Sequence, residues 1–303
     1  MMTTVKEPKQ KKFRSVKAQK LTSTIFSYIA LVILSVIWLY PILWIILSAF
    51  RVEYRDGNLV STVVGHYFPK SFGLENFRIL FANADGNNPF IQWFINTLIV
   101  SFFTFILSTL LTLSVAYVMS KIRFKARKKF LGIAIILGLF PGFMSMIAIY
   151  YILKSVNLTG TLYALILVYS AGAGLGFYVA KGFFDIIPNS LMESARLDGA
   201  TNSQIFTKII LPISKPIIIY TALLSFTGPW MDFIFARVIL GTNRNMYTVA
   251  VGLYEMMYGE QVSSSRFTIF AAGSVIVAIP IVTLFLSMQR YYVEGVTAGA
   301  VKG

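Results

Sequence analysis

The chain has 303 residues, of which 56% are hydrophobic and 13% charged, with a net charge of +15 and a mean hydropathy of +0.71. This composition excludes a soluble domain and predicts an all-α integral membrane protein, because a helix that spans a bilayer needs about 20 apolar residues and bonds its own backbone. The lack of cysteine and the single histidine, His66, exclude disulfides, iron–sulfur clusters, zinc sites and thiol catalysis.

Six long runs that carry few charges predict six transmembrane helices. They lie at residues 25–50, 93–120, 130–154, 161–183, 213–240 and 267–289. The first run is too long for the apolar part of a signal peptide and has no small-residue cleavage site after it, so we expect it to be retained. The fifth is the least regular, because it carries Asp232 and Arg237 toward its far end.

The connecting segments differ in charge, and this difference predicts their side of the membrane. Of the 27 lysines and arginines, 19 fall in segments that we assign to the cytoplasm, where positive charge is retained during insertion. These segments are a basic tail at 1–24, a loop at 121–129, a loop at 184–212 counted with its flanks over 181–215, and a tail at 290–303. Both termini are therefore predicted inside (N-in/C-in), and the basic charge reflects topology beside anionic headgroups rather than nucleic-acid binding.

Two longer segments, 51–92 and 241–266, are predicted to be extracytoplasmic. We expect His66, in the first, to be solvated, as a lone loop histidine usually is. The second holds polar and aromatic side chains of the kind that contact a protein or a sugar, and a solvated connector is the open alternative. Its candidate contact residues are Asn243, Arg244, Asn245 and Tyr247.

The predicted cytoplasmic loop at 184–212 contains signals for two short helices. Ser190–Glu193 has the capping-box pattern, which predicts that a helix starts at Ser190. Gly199 should end this helix, because glycine takes the left-handed conformation without steric cost. Thr201–Gln204 repeats the capping pattern, and Pro212 should stop the second helix because proline has no amide hydrogen.

The first short helix is predicted to have two faces, since successive residues are offset by about 100° around a helix. One face, expected to contact this chain's own helices, comprises Leu191, Met192 and Ala195. The opposite face, expected to contact a second body, comprises Ser194, Leu197 and Asp198. Helices that lie on lipid favour lysine and arginine, whereas this one carries Glu193 and Asp198 against the single Arg196, so we favour a protein partner over a lipid surface.

The same loop, between predicted helices 4 and 5, resembles the EAA loop of ABC importer permeases. The matching residues are Glu193-Ser194-Ala195, Gly199 after three residues, Ile209 after nine more, and then Leu211-Pro212. The family has alanine where this chain has Ser194, a small-for-small difference. The resemblance implies a coupling helix that fits a cleft in an ATP-hydrolysing subunit. The residues assigned to this coupling are Glu193, Ser194, Ala195, Leu197, Asp198 and Gly199.

Three further segments narrow the resemblance to the MalG-type permeases of the binding-protein-dependent oligosaccharide family. They are Phe72–Phe77, Tyr247–Gly252 and Glu294–Gly303. The likeness implies an ABC permease domain at about 93–290, a multi-pass place in the bacterial cell membrane, and maltose or maltodextrin as cargo, with galacto-oligosaccharides as an alternative. It also implies four kinds of partner: a MalF-type second permease, two ATP-binding subunits, an extracytoplasmic sugar-binding protein that would contact residues 243–247, and the oligosaccharide.

The chain itself supports a non-catalytic role. It has no Gly-x-x-x-x-Gly-Lys-Ser/Thr loop, so we expect ATP and magnesium to be bound by the partner ATPase and no cofactor, metal or catalytic residue to belong to this chain. A secondary transporter driven by an ion gradient is one alternative, but the spans lack its charge relay. A membrane enzyme or scaffold is another, and it lacks a nucleophile, base or metal constellation.

Asp232 is the only acid well inside a predicted span. A carboxylate at the bilayer centre costs about 3 kcal/mol, so we expect it to face an aqueous cavity or a partner. In a sugar path, Asp232 could bond the sugar hydroxyls and Trp230 could stack on the sugar ring. The alternative is a structural acid near the outer interface.

Overall fold

The computed structural model of the chain describes residues 16–55, 57–63, 65–83, 88–172, 176–259 and 266–300, with 16–19 and 290–300 described as backbone alone. Helix α1 (Val16–Ala49) begins well before residue 25, so part of the predicted basic tail is helical. Most of its apolar side chains are exposed, as those of a helix surrounded by lipid or by a partner would be. Residues 1–15 of the tail lie outside the described residues.

The segment after α1 is folded around a buried ion pair. It contains a small antiparallel hairpin, β1 (Tyr54–Arg55) and β2 (Asn58–Leu59), and then helix α2 (Glu75–Ala82). The buried Arg51 guanidinium donates through Nη1 to Glu53 Oε1 at 3.0 Å and through Nη2 to the His66 carbonyl at 2.9 Å. These bonds tie the start of the segment to its middle.

The prediction that His66 is merely solvated is wrong, because its Nε2 lies 2.9 Å from Glu53 Oε1. The Lys70 amide donates to the same oxygen at 2.9 Å. Burial of Glu53 acts to raise its pKa, but the Lys70 amide, His66 and the charge of Arg51 together outweigh it and hold the pKa below its ordinary value of 4.5. The acid is therefore ionised at neutral pH and holds this segment together.

Helix α3 (Phe90–Lys121) is the centre of the bundle. After it come α4 (Arg127–Gly138) and α5 (Gly142–Ser155), which meet at 102° around Pro141, inside the predicted third span. Pro141 lies between the two helices in an extended conformation, and a proline there cannot continue α4, which accounts for the break. Next are α6 (Leu162–Gly172) and α7 (Phe177–Asp185).

The second half of the chain contains the remaining helices. They are α8 (Asn189–Leu197), α9 (Asn202–Ile205), a π-helical turn (Phe206–Ile210), α10 (Leu211–Ile213), α11 (Lys215–Met231), α12 (Ile234–Leu240), a 3₁₀ turn (Arg244–Met246), α13 (Val249–Tyr258) and α14 (Phe267–Ala300). The segment Asn202–Ile213 meets α11 at 88°. The predicted loop at 241–266 is therefore in part a helix, and α13 buries Val249, Val251 and Met256.

The buried side chains form two clusters, one toward each end of α3. One surrounds Trp93 and includes residues of α12, α13 and α14. The other surrounds Tyr117 and includes residues of α7, α8 and α11. Within the described residues, four helical stretches are long and apolar enough to cross a membrane, and the two bent pairs raise the number to six if each is one span. The order of six spans and their orientation stay predictions.

Candidate functional site

Helix α8 starts one residue before the predicted position and without the predicted cap. Asn189 is its first residue and Pro188 its flanking residue, and no side-chain oxygen caps the helix. Ser190 is thus already inside the first turn, where its hydroxyl cannot take the role of a cap. Pro188 provides the entry instead, since its φ of −59° and ψ of 135° leave the chain extended just before the helix.

The end of α8 is as predicted, with Gly199 in the left-handed conformation at a φ of 83°. Two hydrogen bonds close the helix in a Schellman motif: the Ala200 amide donates to the Ala195 carbonyl at 2.9 Å, and the Gly199 amide donates to the Arg196 carbonyl at 3.0 Å. This pair of bonds fixes the direction in which the chain leaves α8.

The second predicted cap is present, and the helical segment ends one residue after the predicted stop at Pro212. The Thr201 hydroxyl accepts from the Gln204 amide at 3.3 Å, and the Thr201 amide donates to Gln204 Oε1 at 2.8 Å. The helical segment then passes through the π turn and continues beyond Pro212 to Ile213. The π turn lies directly before the proline, and Pro212 stands in the first turn of α10, a position that does not need the missing amide.

Helix α8 has one buried and one exposed face, with one difference from the prediction. Met192 is 3% exposed and packs with Ala195 into the cluster around Tyr117. Leu191, predicted to join them, is 46% exposed, because the buried stripe of this short helix is only as wide as the i and i+3 positions 192 and 195. Leu197 is 90% exposed, which leaves a large apolar side chain without a partner in this chain.

Apart from Leu191 and Leu197, the exposed surface of this segment consists of small and charged residues. Glu193, Ser194, Asp198 and Gly199 are all exposed. The helix thus shows Leu197 and the partly exposed Leu191 among small and charged groups, while its other face is held by the bundle. Ala195 is the one predicted coupling residue that the structure buries in the chain's own core.

Three residues at the end of α3, Tyr117, Ser120 and Lys121, hold the chain on the two sides of α8, and this role was not predicted from the sequence. Ser120 and Lys121 bind the segment before α8. The buried Lys121 ammonium donates to the Ile187 carbonyl at 2.6 Å and lies 3.3 Å from Asn189 Oδ1. The Ser120 hydroxyl donates to Asp185 Oδ1 at 2.6 Å. These contacts fix the chain immediately before α8.

Tyr117 holds the other side of α8. Its hydroxyl donates to the Asn202 carbonyl at 3.2 Å, and its ring stacks on Phe206 with centroids 4.8 Å apart. Tyr117 and Lys121 are one helical turn apart, a spacing that places them on the same face of α3. This spacing could have indicated from the sequence that the two polar side chains act together. It could not have identified their partners, which are far away along the chain.

The two residues predicted for a sugar path lie against protein. Trp230 is buried between Phe94 and Phe226. Asp232 stands at the break between α11 and α12, where its Oδ2 accepts from the Tyr169 hydroxyl at 2.6 Å and its Oδ1 accepts from the Phe235 amide at 3.1 Å. One carboxylate oxygen thus bonds the start of α12 and the other bonds α6, which favours the structural alternative for Asp232.

The predicted contact residues at 243–247 divide between surface and core. Asn243 and Asn245 are exposed and Arg244 is half-buried. Tyr247 is 2% exposed, so its predicted contact with a binding protein is wrong for the side chain in this structure. Its hydroxyl accepts from Arg237 Nη1 at 2.8 Å, and this arginine also pairs with Glu255 at 3.0 Å. The aromatic residue was misassigned because its partners lie on two other helices.

Helix α3 holds the backbone of this turn. Trp93 Nε1 donates to the Arg244 carbonyl at 2.8 Å, and Asn96 Nδ2 donates to the Asn245 carbonyl at 2.7 Å. The Val249 amide donates to the Thr97 hydroxyl at 2.8 Å. Both ends of α3 are thus attached through side chains to the backbone of a distant segment.

Comparison with known proteins gives consistent matches. Residues 108–297 match the family model described as "Binding-protein-dependent transport system inner membrane component". The chain is 36% identical to the galactooligosaccharides transport system permease protein GanQ of Bacillus subtilis, over 95% of this chain and 98% of the relative. It is 31% identical to the maltodextrin transport system permease protein MdxG of the same organism, over 94% of this chain and 98% of the relative.

Among solved structures, the chain is similar to a chain of a bacterial ABC transporter involved in the import of the acidic polysaccharide alginate. The TM-score is 0.76, and the match covers 93% of this chain and 100% of that one at 22% sequence identity. At this identity the likeness establishes the fold alone.

Proposed function

The chain belongs to the family of binding-protein-dependent transport system inner membrane components, as a permease subunit of a sugar ABC importer, and from this premise we propose a specific division of labour. This subunit forms half of the translocation path and couples ATP hydrolysis by a separate subunit to alternating access for an oligosaccharide. Its coupling element is α8. It hydrolyses nothing itself.

The observation that carries this proposal is the exposed face of α8. Leu197 projects from a helix whose other side is held by Met192 and whose exit angle is fixed by Gly199. A helix of nine residues is too short to be stable alone in water, where about 12 residues are needed, so its packing on the bundle gives a partner a preformed surface. A push on this surface therefore reaches α3, α7 and α11, which share its buried cluster.

We assign four kinds of partner to the complex. They are a MalF-type second permease, two ATP-binding subunits that carry ATP and magnesium, an extracytoplasmic sugar-binding protein, and the oligosaccharide. The family description names dependence on a binding protein, and of the four predicted contact residues Asn243 and Asn245 are exposed and available for it. The largely exposed surface of α1 suits lipid or the second permease.

Two sugars are supported by different observations. The tail at Glu294–Gly303 resembles maltodextrin permeases, whereas the relative named for galactooligosaccharides has 36% identity against 31% for the one named for maltodextrin. What the two cargoes share is a short chain of neutral sugar units. We therefore propose a neutral oligosaccharide as the cargo and place galactooligosaccharide beside maltodextrin as a candidate.

Uptake by reconstituted vesicles tests the proposal. The chain is co-purified with its second permease and ATPase, placed in vesicles with ATP either inside or absent, and supplied outside with binding protein and either labelled maltodextrin or labelled galactooligosaccharide. We expect one of the two sugars to be taken up, and only by vesicles that contain ATP. Uptake driven by a proton or sodium gradient without ATP would overturn the proposal in favour of a secondary transporter.

A further inference from the structure

The turn between α3 and α4 carries an exposed cluster of positive charge, which we call the basic turn (residues 123–129). The sequence has no aspartate or glutamate between Asp85 and Asp185, so no acid lies near the turn along the chain. None of the ion pairs among the described residues involves an exposed cation of the turn. These exposed cations are Arg123, Lys125, Lys128 and Lys129, and Arg127 between them is half-buried.

The charge of the basic turn has no stabilising role within the described chain. Asp185, which interacts with the charge of Arg127, already accepts from the Lys181 ammonium and from the Ser120 hydroxyl, both at 2.6 Å. The cations do not serve the helix that they start either, because positive charge in a first turn opposes the helix dipole and the first turn of α4 contains no acid. The positive charge is thus available to an anion from outside the chain.

Helix α4 places the basic turn at a membrane boundary. None of its side chains is buried, and Ile133, Ile136 and Leu137 are exposed although they are apolar. An apolar helix without a buried face suits hydrocarbon, and α4 together with α5 has the length and composition of one bent span. The basic turn lies directly before this helix, where acyl chains give way to headgroups.

Two phenylalanines connect the charged and the apolar parts of this surface. Phe124 lies inside the basic turn and Phe130 directly after it, and both rings are exposed with their centroids 6.3 Å apart. The Arg127 amide donates to the Phe124 carbonyl at 3.2 Å, which closes the turn between the two rings. Segments that bind a membrane surface combine lysine and arginine with phenylalanine, because the rings enter the acyl region while the cations meet phosphates. The continuity of cations, rings and apolar helix favours a lipid surface over a soluble protein.

We propose that the basic turn is a docking surface for the headgroups of anionic phospholipids. The inference goes beyond the proposed importer function, and it does not depend on which side of the membrane the turn faces. Lys121, which holds the Ile187 carbonyl before α8, is two residues from Arg123. Headgroups bound to the basic turn therefore anchor the end of α3 that holds α8. This anchoring role rests on the proposed coupling function of α8.

A photo-crosslinker on Ile133→Cys tests the docking, because the chain has no other cysteine and residue 133 is one turn after Lys129 on the same face of α4. The complex is placed in phosphatidylcholine vesicles with a trace of labelled phosphatidylglycerol or of labelled phosphatidylcholine. We expect about five- to thirtyfold more crosslinking to the anionic lipid, and a loss of this preference in Lys128→Gln/Lys129→Gln. The matched control, Lys208→Gln/Lys215→Gln, removes two other exposed lysines and should keep the preference.

Three results would overturn the docking surface. The first is equal crosslinking of the two lipids, or the same loss of preference in the control as in Lys128→Gln/Lys129→Gln. The second is a loss of crosslinking when inorganic phosphate replaces chloride at constant ionic strength, because the surface would then take the free anion. The third is crosslinking to a protein subunit in place of lipid, because the basic turn would then belong to a protein interface.

Sugar-stimulated ATP hydrolysis in the same vesicles tests the anchoring role. We expect the stimulation to rise with the phosphatidylglycerol content for the wild type and to stay flat for Lys128→Gln/Lys129→Gln. Selective crosslinking without this rise would overturn the anchoring role. If crosslinking is selective but sugar stimulates no hydrolysis by the wild type in any vesicle, the importer function fails and the docking surface stands. If sugar stimulates hydrolysis but crosslinking is not selective, the docking surface fails and the importer function stands.

Discussion

Gly199 is the residue at which the local conformation most directly restricts the sequence. Its φ of 83° lies in the left-handed region, and the space around a Cβ there is open, so a side chain would meet strain rather than a clash. For an ordinary residue this strain costs roughly 1–2 kcal/mol, while asparagine tolerates it better. The two Schellman bonds depend on this conformation, and with them the angle between α8 and the next helix.

A graded series at this position tests the role of the turn. We expect sugar-stimulated ATP hydrolysis to be close to wild type for Gly199→Asn, reduced for Gly199→Ala and lowest for Gly199→Val, since the β-branched residue is least tolerant of positive φ. A strain of 1–2 kcal/mol corresponds to about 5- to 30-fold in the population of the docked geometry. The assay is ATP hydrolysis by the purified complex with and without sugar-loaded binding protein. Equal stimulation across the series would count against a geometric role for the turn.

Individual residues show where reading the sequence succeeds and where it stops. The Gly199 turn and the Thr201–Gln204 cap were predictable, because each is decided within a few residues of chain. Leu191, Tyr247 and His66 were misjudged, because their environment depends on helices and loops far away in sequence. A buried tyrosine that accepts from Arg237 looks the same in the sequence as a tyrosine that meets a partner.

At the scale of elements, the main finding that charge counting could not predict is the attachment of the end of α3 to the segment before α8. Lys121 was predicted as one of the cytoplasmic loop charges that set topology, and the structure buries it at the base of α8. A hydrogen bond from a charged donor to a backbone carbonyl is worth about 1.5–3 kcal/mol. It ties the chain before α8 to the end of a helix that runs through the whole bundle.

Replacing Lys121 should uncouple the two elements. We expect Lys121→Met to insert and to bind the ATPase, but to lose at least half of the stimulation of ATP hydrolysis by sugar, because the Ile187 carbonyl is left without its donor. Lys121→Arg should restore part of it. The matched control is Lys125→Met, which removes an exposed lysine of the same loop. A Lys121→Met complex whose ATP hydrolysis is stimulated by sugar as much as that of the control would contradict the positioning role.

The helices themselves were predictable to different degrees. Uncharged runs locate α1, α3 and α14, since a long apolar stretch has few other stable forms in a membrane. The bend between α4 and α5 follows from Pro141, but its size of 102° depends on packing. Helix α13 was missed because the polar Thr242–Asn245 before it reads as the start of a loop, while its burial against Trp93 comes from tertiary contact.

At the scale of the whole molecule, the orientation in the membrane is the central untested prediction. It places the exposed face of α8 in the cytoplasm and the β1–β2 hairpin outside, and every assigned partner depends on it. The assignment rests on the distribution of lysine and arginine alone. Because Lys121 is buried, it no longer counts as a free loop charge, but most lysines and arginines still fall in the segments assigned to the cytoplasm.

Cysteine labelling measures this orientation, because the chain contains no cysteine of its own. We expect Asn58→Cys to react with a membrane-impermeant maleimide from the outside, and Ser194→Cys to react only in inside-out vesicles. Both side chains are exposed, so access depends on the side of the membrane and not on burial. With the ATPase bound, Ser194→Cys should be protected and should crosslink to it. Labelling of Ser194→Cys from the outside, or of Asn58→Cys only in inside-out vesicles, would refute the predicted orientation.

The attachments at the two ends of α3 have a thermodynamic consequence. This helix has 32 residues and is about 48 Å long at 1.5 Å per residue. It holds the turn at Arg244–Met246 at one end and the base of α8 at the other. If tilting of α3 couples these ends, the free energy of that coupling is the same in both directions. If the binding protein raises the affinity of this subunit for the ATPase by some factor, then binding of the ATPase must raise the affinity of this subunit for the binding protein by the same factor.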